Sequence, residues 1–175
     1  FKCQDCNNAL NLLHLAFFMS FWNEKVVLLT GASSGIGEAL AIEMAKKGAI
    51  LGLLARREEL LNNLAERCEK VGGKARVFAC DVVDSKAVQA SADALREEFG
   101  RIDILIANAG IGGNTSGLEV YKPEQVRKVI DINLMGAVNS VYSVLPQMLE
   151  RKSGQIVAIS SLAGFRGLPK SAAYS

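Results

Sequence analysis

An apolar run, Val26 to Leu29, meets a glycine-rich turn, Gly31-Ala-Ser-Ser-Gly-Ile-Gly37, which opens into a helix-forming stretch, Glu38 to Lys47. Strand, glycine turn and helix in that order form a geometry that holds an anion against a helix N-terminus. The first N–H groups of the helix lack intrahelical partners, and the positive end of its dipole faces the same way. Gly31, Gly35 and Gly37 let the backbone turn sharply and approach a ligand with no Cβ between. The segment reads as a dinucleotide cradle.

The rest of the chain fits one α/β domain. Its 175 residues are half hydrophobic, which supports a substantial core, and the net charge of +2 is interspersed. That balance argues against a nucleic-acid partner. Cys3 and Cys6 form a lone CxxC that no second pair or histidine cluster completes, so no metal site is expected. Cys68 and Cys80 read as small buried hydrophobes, and a reducing, cytoplasmic setting fits them. Residues 1–22 read as an extension outside the fold, with Met19 a candidate start; His14, the single histidine, is a bystander there. Ala9 to Trp22 is apolar but short for a bilayer span; a membrane anchor is the alternative.

From Lys25 onward strands and helices alternate. Strands are expected at Val26–Leu29, Ile50–Leu54, Ala75–Ala79, Ile102–Ala107 and Gln155–Ile159. Helices are expected at Ile36–Lys47, Glu58–Val71 and Ser85–Phe99, the last capped by Asp84 and stopped by Gly100. Asn108 to Tyr121 reads as an irregular loop. Helix resumes at Pro123 and runs to Lys152, with a break near Asp131–Asn133 and a kink at Pro146. Apolar strands separated by helices predict a doubly wound parallel sheet of order 3-2-1-4-5, with ligands at the carboxyl ends of the strands.

Four motifs in order give the chain a family likeness. Thr30-Gly-Ala-Ser-Ser-Gly-Ile-Gly37 has TGxxxGxG spacing. Asn108-Ala-Gly110 ends the fourth strand, Asn133 sits in Asp131-Ile-Asn-Leu134, and Tyr174 follows Ser161 by thirteen residues. Over residues 25–175 the chain resembles the short-chain dehydrogenase/reductase family.

The resemblance implies a role for each position. Gly31, Ser33, Ser34, Gly35, Ile36 and Gly37 would wrap the pyrophosphate and the adenosine ribose. Asp81, with Val82 beside it, would bond the adenine amino group. Asn108, Ala109 and Gly110 would brace the central strand by the adenosine half. Asn133 would open the helix locally and hold a water. Ser161 would orient a substrate carbonyl, and Tyr174 would be the general acid or base as well as a cofactor contact. A free tyrosine hydroxyl, with a pKa of about 10, needs a neighbouring cation to work near neutrality. In the family that cation is a lysine four residues after the tyrosine. Here the chain ends at Ser175, and Lys170 lies on the wrong side of the motif. The expectation is therefore an N-terminal fragment of a longer enzyme, lacking its later strands and helices, with Ile156-Val-Ala-Ile159 left as a bare sheet edge.

The end of the second strand reads Leu54-Ala-Arg-Arg57, with no acid to bond the 2′-hydroxyl of NAD. Arg56 can pair with a 2′-phosphate, so NADP(H) is favoured over NAD(H). The expected reaction is hydride transfer between nicotinamide and a small-molecule carbonyl or alcohol. Two other readings are a non-catalytic dinucleotide-binding module and a membrane-tethered lipid-ketone reductase. The resemblance also implies a homo-oligomer paired through the helix at 133–151, where Gly136, Ala137 and Ser140 would permit close approach. The loop from Ile111 to Gly117, with Asn114, Thr115 and Ser116, specifies no substrate.

Overall fold

A computed structural model describes residues 21–112, 122–168, 171 and 173–175. Five parallel strands, β1 (Val26–Thr30), β2 (Ile50–Ala55), β3 (Lys74–Ala79), β4 (Ile104–Ala107) and β5 (Gln155–Ala158), lie in the order β3-β2-β1-β4-β5. This is the expected doubly wound sheet. The first three connections are helical: α1 (Gly35–Ala45), α2 (Glu58–Lys70) and α3 (Ser85–Phe99). Between β4 and β5 stand α4 (Pro123–Ile130), one π turn (Asp131–Met135) and α5 (Gly136–Arg151).

Strand periodicity divides the core. Val27 and Leu29 of β1 pack with Ala41 and Met44 of α1 and Leu61, Leu64 and Cys68 of α2. Their neighbours Val26 and Leu28 pack on the opposite face with Val88, Ala92 and Leu95 of α3 and Val144 and Met148 of α5. Every β1 residue is buried, because helices cover both faces of the central strand. Trp22 packs against the first cluster, so that residue of the N-terminal segment belongs to the fold. Residues 1–20, with Cys3, Cys6, His14 and Met19, lie outside the described residues.

Local chemistry explains the boundaries. The Asp84 carboxylate accepts the N–H groups of Lys86 and Ala87, and Gly100 ends α3 with a left-handed φ of 81°. β4 begins two residues later than expected. Ile102 N–H is taken by the Gln147 side chain, and Arg151 donates to Ile102 O, so these groups bond to side chains of α5. The break expected near Asp131 is a π turn: Gly136 N–H reaches back to Asp131 O, and the helical path continues.

Pro123–Arg151 is long and apolar enough to cross a membrane by length and composition. In this fold its buried side packs on α3 and β4. Gly136 and Ser140 are buried within the chain, the Ser140 hydroxyl donating to Gly136 O at 2.7 Å. These two small residues therefore serve internal packing rather than an outward interface. The outward side carries Leu134, Tyr142 and Leu149, all exposed. β5 is a sheet edge, exposed along its length.

Candidate functional site

The site forms where the carboxyl ends of β1 to β4 meet. A cavity of about 320 Å3 is lined by Gly31, Ser33, Ser34 and Ile36 after β1 and by Ala55, Arg56 and Arg57 at the end of β2. Cys80, Asp81 and Val82 close it after β3, Asn108 to Ile111 after β4, and Ile132 from the π turn. Chain reversal on either side of β1 leaves this crevice at the point where strand order switches.

Its floor is fixed by hydrogen bonds from β1 to β4. The buried Thr30 hydroxyl accepts the N–H groups of Asn108 and Ala109, both at 3.1 Å. Asn108 Nδ2 donates in return to Thr30 O at 3.1 Å and Gly31 O at 3.2 Å. The loop is pressed so close that two positions admit only glycine. Gly31 has a φ of 66°, and a Cβ there would stand 2.7 Å from Ala109 Cα. At Gly37 a Cβ would overlap Gly31 O. Gly35 and Gly37 open α1, and neither lines the cavity itself.

The rim holds what the sequence concealed. Ser34, the residue before α1, makes no side-chain cap, so the first-turn N–H groups are left without a side-chain partner. Its hydroxyl instead accepts Arg57 Nη2 at 2.7 Å, and the same nitrogen reaches Ser33 Oγ at 3.0 Å. Arg56, the residue singled out from the sequence, pairs with Asp81, Nη1 to Oδ2 at 3.7 Å. Both arginines are thus at the cavity, and Arg57 is the one seated on the glycine loop. Two adjacent arginines after a strand are indistinguishable in sequence; their side chains diverge because successive residues point apart.

Asn133 lies in the π turn. Its Oδ1 accepts Ile111 N–H at 2.8 Å, and its Nδ2 donates to Ile111 O at 2.9 Å. The pair ties the widened helix turn to the loop that follows β4. Cys80, expected as a buried hydrophobe, is only partly buried and lines the cavity beside Asp81. Burial pushes its thiol pKa up, a contact with Ser91 partly opposing it.

Ser161 follows β5 and heads a single 3-10 turn, Leu162–Gly164; its hydroxyl accepts Ala163 N–H at 3.2 Å. Tyr174 is partly exposed, and its N–H bonds Ser171 O. Neither lines the cavity. Lys170 and residues 113–121, including Asn114, Thr115 and Ser116, lie outside the described residues.

The site's donor set suits a phosphate-bearing nucleotide: a helix N-terminus with no side-chain cap, two arginines and a carboxylate around one cavity. Comparison with known proteins agrees. A family model described as short chain dehydrogenase matches residues 25–175. An "Uncharacterized oxidoreductase" of Myxococcus xanthus is 41% identical over 157 residues, covering 90% of this chain and 62% of the relative. The solved structure of an NAD+-bound xylitol dehydrogenase matches with a TM-score of 0.84 at 36% identity, covering 88% of this chain and 59% of that one. A metagenomic short-chain oxidoreductase in complex with NADP matches at 0.81 and 36%, covering 87% and 69%. The chain spans between 12% and 62% of the length of the curated relatives it matches.

Proposed function

The chain belongs to the short-chain dehydrogenase family, and from that premise we propose that it carries the NADP(H)-binding half of an oxidoreductase acting on a small-molecule carbonyl or secondary alcohol. The observation that carries this reading is the cavity rim. Arg57 bonds both serines of the glycine loop, Arg56 stands beside it, and Leu54 and Ala55 offer no carboxylate to a ribose 2′-hydroxyl.

The bound dinucleotide supplies the hydride. The chain's own residues supply the rest. Backbone N–H groups at the start of α1 receive the pyrophosphate. Ser33, Ser34, Arg56 and Arg57 receive the 2′-phosphate, guanidinium forks matching its oxygens. Asp81 accepts from the adenine amino group, and Val82 packs on the ring. Asn108, Ala109 and Gly110 keep the loop beside the adenosine half, and the Asn133 pair keeps the loop after β4 in register. Ser161 donates to the substrate oxygen, and Tyr174 exchanges a proton with that oxygen at its phenolic hydroxyl. A homo-oligomer joined through the exposed face of α5, at Tyr142 and Leu149, completes the proposal.

Titration with NADPH and NADH, followed by cofactor fluorescence, tests the reading. Saturable binding with NADPH the tighter ligand is expected. Binding of neither overturns the dinucleotide site, and tighter NADH reverses the cofactor choice. In the active enzyme, Tyr174→Phe should lower turnover about a hundredfold or more and weaken the dinucleotide far less, since only one hydroxyl contact is lost; undiminished turnover removes Tyr174 from its role.

A further inference from the structure

Asn139 lies on α5, one turn past Gly136, and matches no motif in the sequence. Its Nδ2 donates to Val82 O at 2.9 Å and to Val83 O at 3.3 Å. Those carbonyls belong to the segment that follows β3 and brings Asp81 and Val82 to the cavity. The same helix touches the segment a second time. Gly136 lies so close that a Cβ there would stand 2.5 Å from Val82 Cγ2. Within the segment, Val83 N–H bonds the Asp81 carboxylate at 3.2 Å. The Asp81 side chain is thus oriented by a backbone turn whose two carbonyls are held by one amide.

We infer that Asn139 is a positioning residue for recognition of the adenine end of the dinucleotide. It acts through the Asp81–Val83 turn and touches no ligand itself. One Asn139 amide nitrogen reaches the carbonyls of two neighbouring peptide groups, and Asn139 does not itself line the cavity. Gly136 removes the side chain that would keep α5 from approaching. Together they set how far the turn projects over the cavity, and hence where the Asp81 carboxylate meets an exocyclic amine. This inference rests on the dinucleotide reading proposed above.

Three variants of the chain, Asn139→Ala, Asn139→Asp and Gln89→Ala, test it by equilibrium titration with NADPH, with 2′,5′-ADP and with nicotinamide mononucleotide. Asp keeps the size of Asn but turns a donor into an acceptor facing two carbonyls, so it separates hydrogen bonding from packing. Gln89 reaches α5 at Ser143 O without touching the Asp81–Val83 turn, and it controls for a looser α3–α5 contact. Asn139→Ala should weaken NADPH and 2′,5′-ADP about tenfold, and Asn139→Asp more. Gln89→Ala should leave both unchanged, and nicotinamide mononucleotide should not respond to any variant. Hydrogen exchange should quicken at the Val83 amide in both Asn139 variants, a readout that needs no ligand. Unchanged 2′,5′-ADP affinity in both Asn139 variants, or equal weakening by Gln89→Ala, overturns the inference while the dinucleotide reading stands. A wild-type chain that binds neither NADPH nor 2′,5′-ADP overturns both.

Discussion

The Arg57 guanidinium donates to the Ser34 hydroxyl at 2.7 Å, joining the end of the second strand to the turn that follows the first. The contact is exposed and adds little to stability. Its importance is geometric: it points a fixed cation at the loop where a ribose substituent would sit.

That arrangement makes cofactor choice testable at one residue. Arg57→Ala should weaken NADPH about tenfold, the scale of one charge-assisted hydrogen bond to phosphate, and change NADH much less. Dissociation constants for both ligands, measured at one ionic strength, check it. Equal weakening of the two would remove Arg57 from 2′-phosphate recognition.

The Thr30 hydroxyl is a test of the floor. Thr30→Val keeps the shape and removes the acceptor, leaving the N–H groups of Asn108 and Ala109 without their bond. A loss of about 2 kcal/mol in urea unfolding is expected, with Thr30→Ser close to wild type. If Val and Ser behave alike, the hydroxyl is not what fixes the floor.

Asn133→Ala should free both backbone groups of Ile111 at once. The expected result is a loss of about 2 kcal/mol together with faster exchange at the Ile111 amide, read residue by residue. Unaltered exchange there would mean that the π turn holds the loop by packing alone.

Cys68 gives a pH dependence. Burial against the α1–α2 side of the core pushes its thiol up to about 11 from the ordinary 9.0. The unfolded chain therefore releases this proton first as pH rises, and the folded state is penalised for holding it. The contribution is intact below pH 9 and is lost between about 9 and 11, on the order of 3 kcal/mol. Unfolding free energies of wild type and Cys68→Ala should converge over that window. A constant difference across it would show that Cys68 does not ionise on unfolding.

How much of this could be read from the sequence follows from what each feature depends on. Helix α3 was legible to the residue because Asp84 and Gly100 encode its ends locally. The strand order was legible because uninterrupted apolar strands between helices leave few right-handed solutions. The role of Arg57 was not, since which of two adjacent arginines faces the loop depends on the direction in which β2 ends. A break near Asp131–Asn133 was legible, but its form as a π turn was not, because Asp131 to Met135 has no breaker and the widened turn is held by tertiary bonds from Asn133. Gly136 and Ser140 were legible as close-packing residues, but sequence cannot say whether the surface they approach belongs to the same chain. Asn139 left no signal, because its partners are backbone carbonyls 56 and 57 residues away.

The Thr30–Asn108 bond spans 78 residues, and the central strand gains its second neighbour only when β4 arrives. A ribosome adding about 5–20 residues per second needs roughly 4–16 s to cover that interval. During it the glycine loop has its contacts with the second strand but lacks the Asn108 floor. The first strand, helix and second strand cannot mature the loop by themselves, however well each forms. Competence to bind should therefore emerge late in synthesis and all at once, as a property of the docked fourth strand rather than of the motif that names the site.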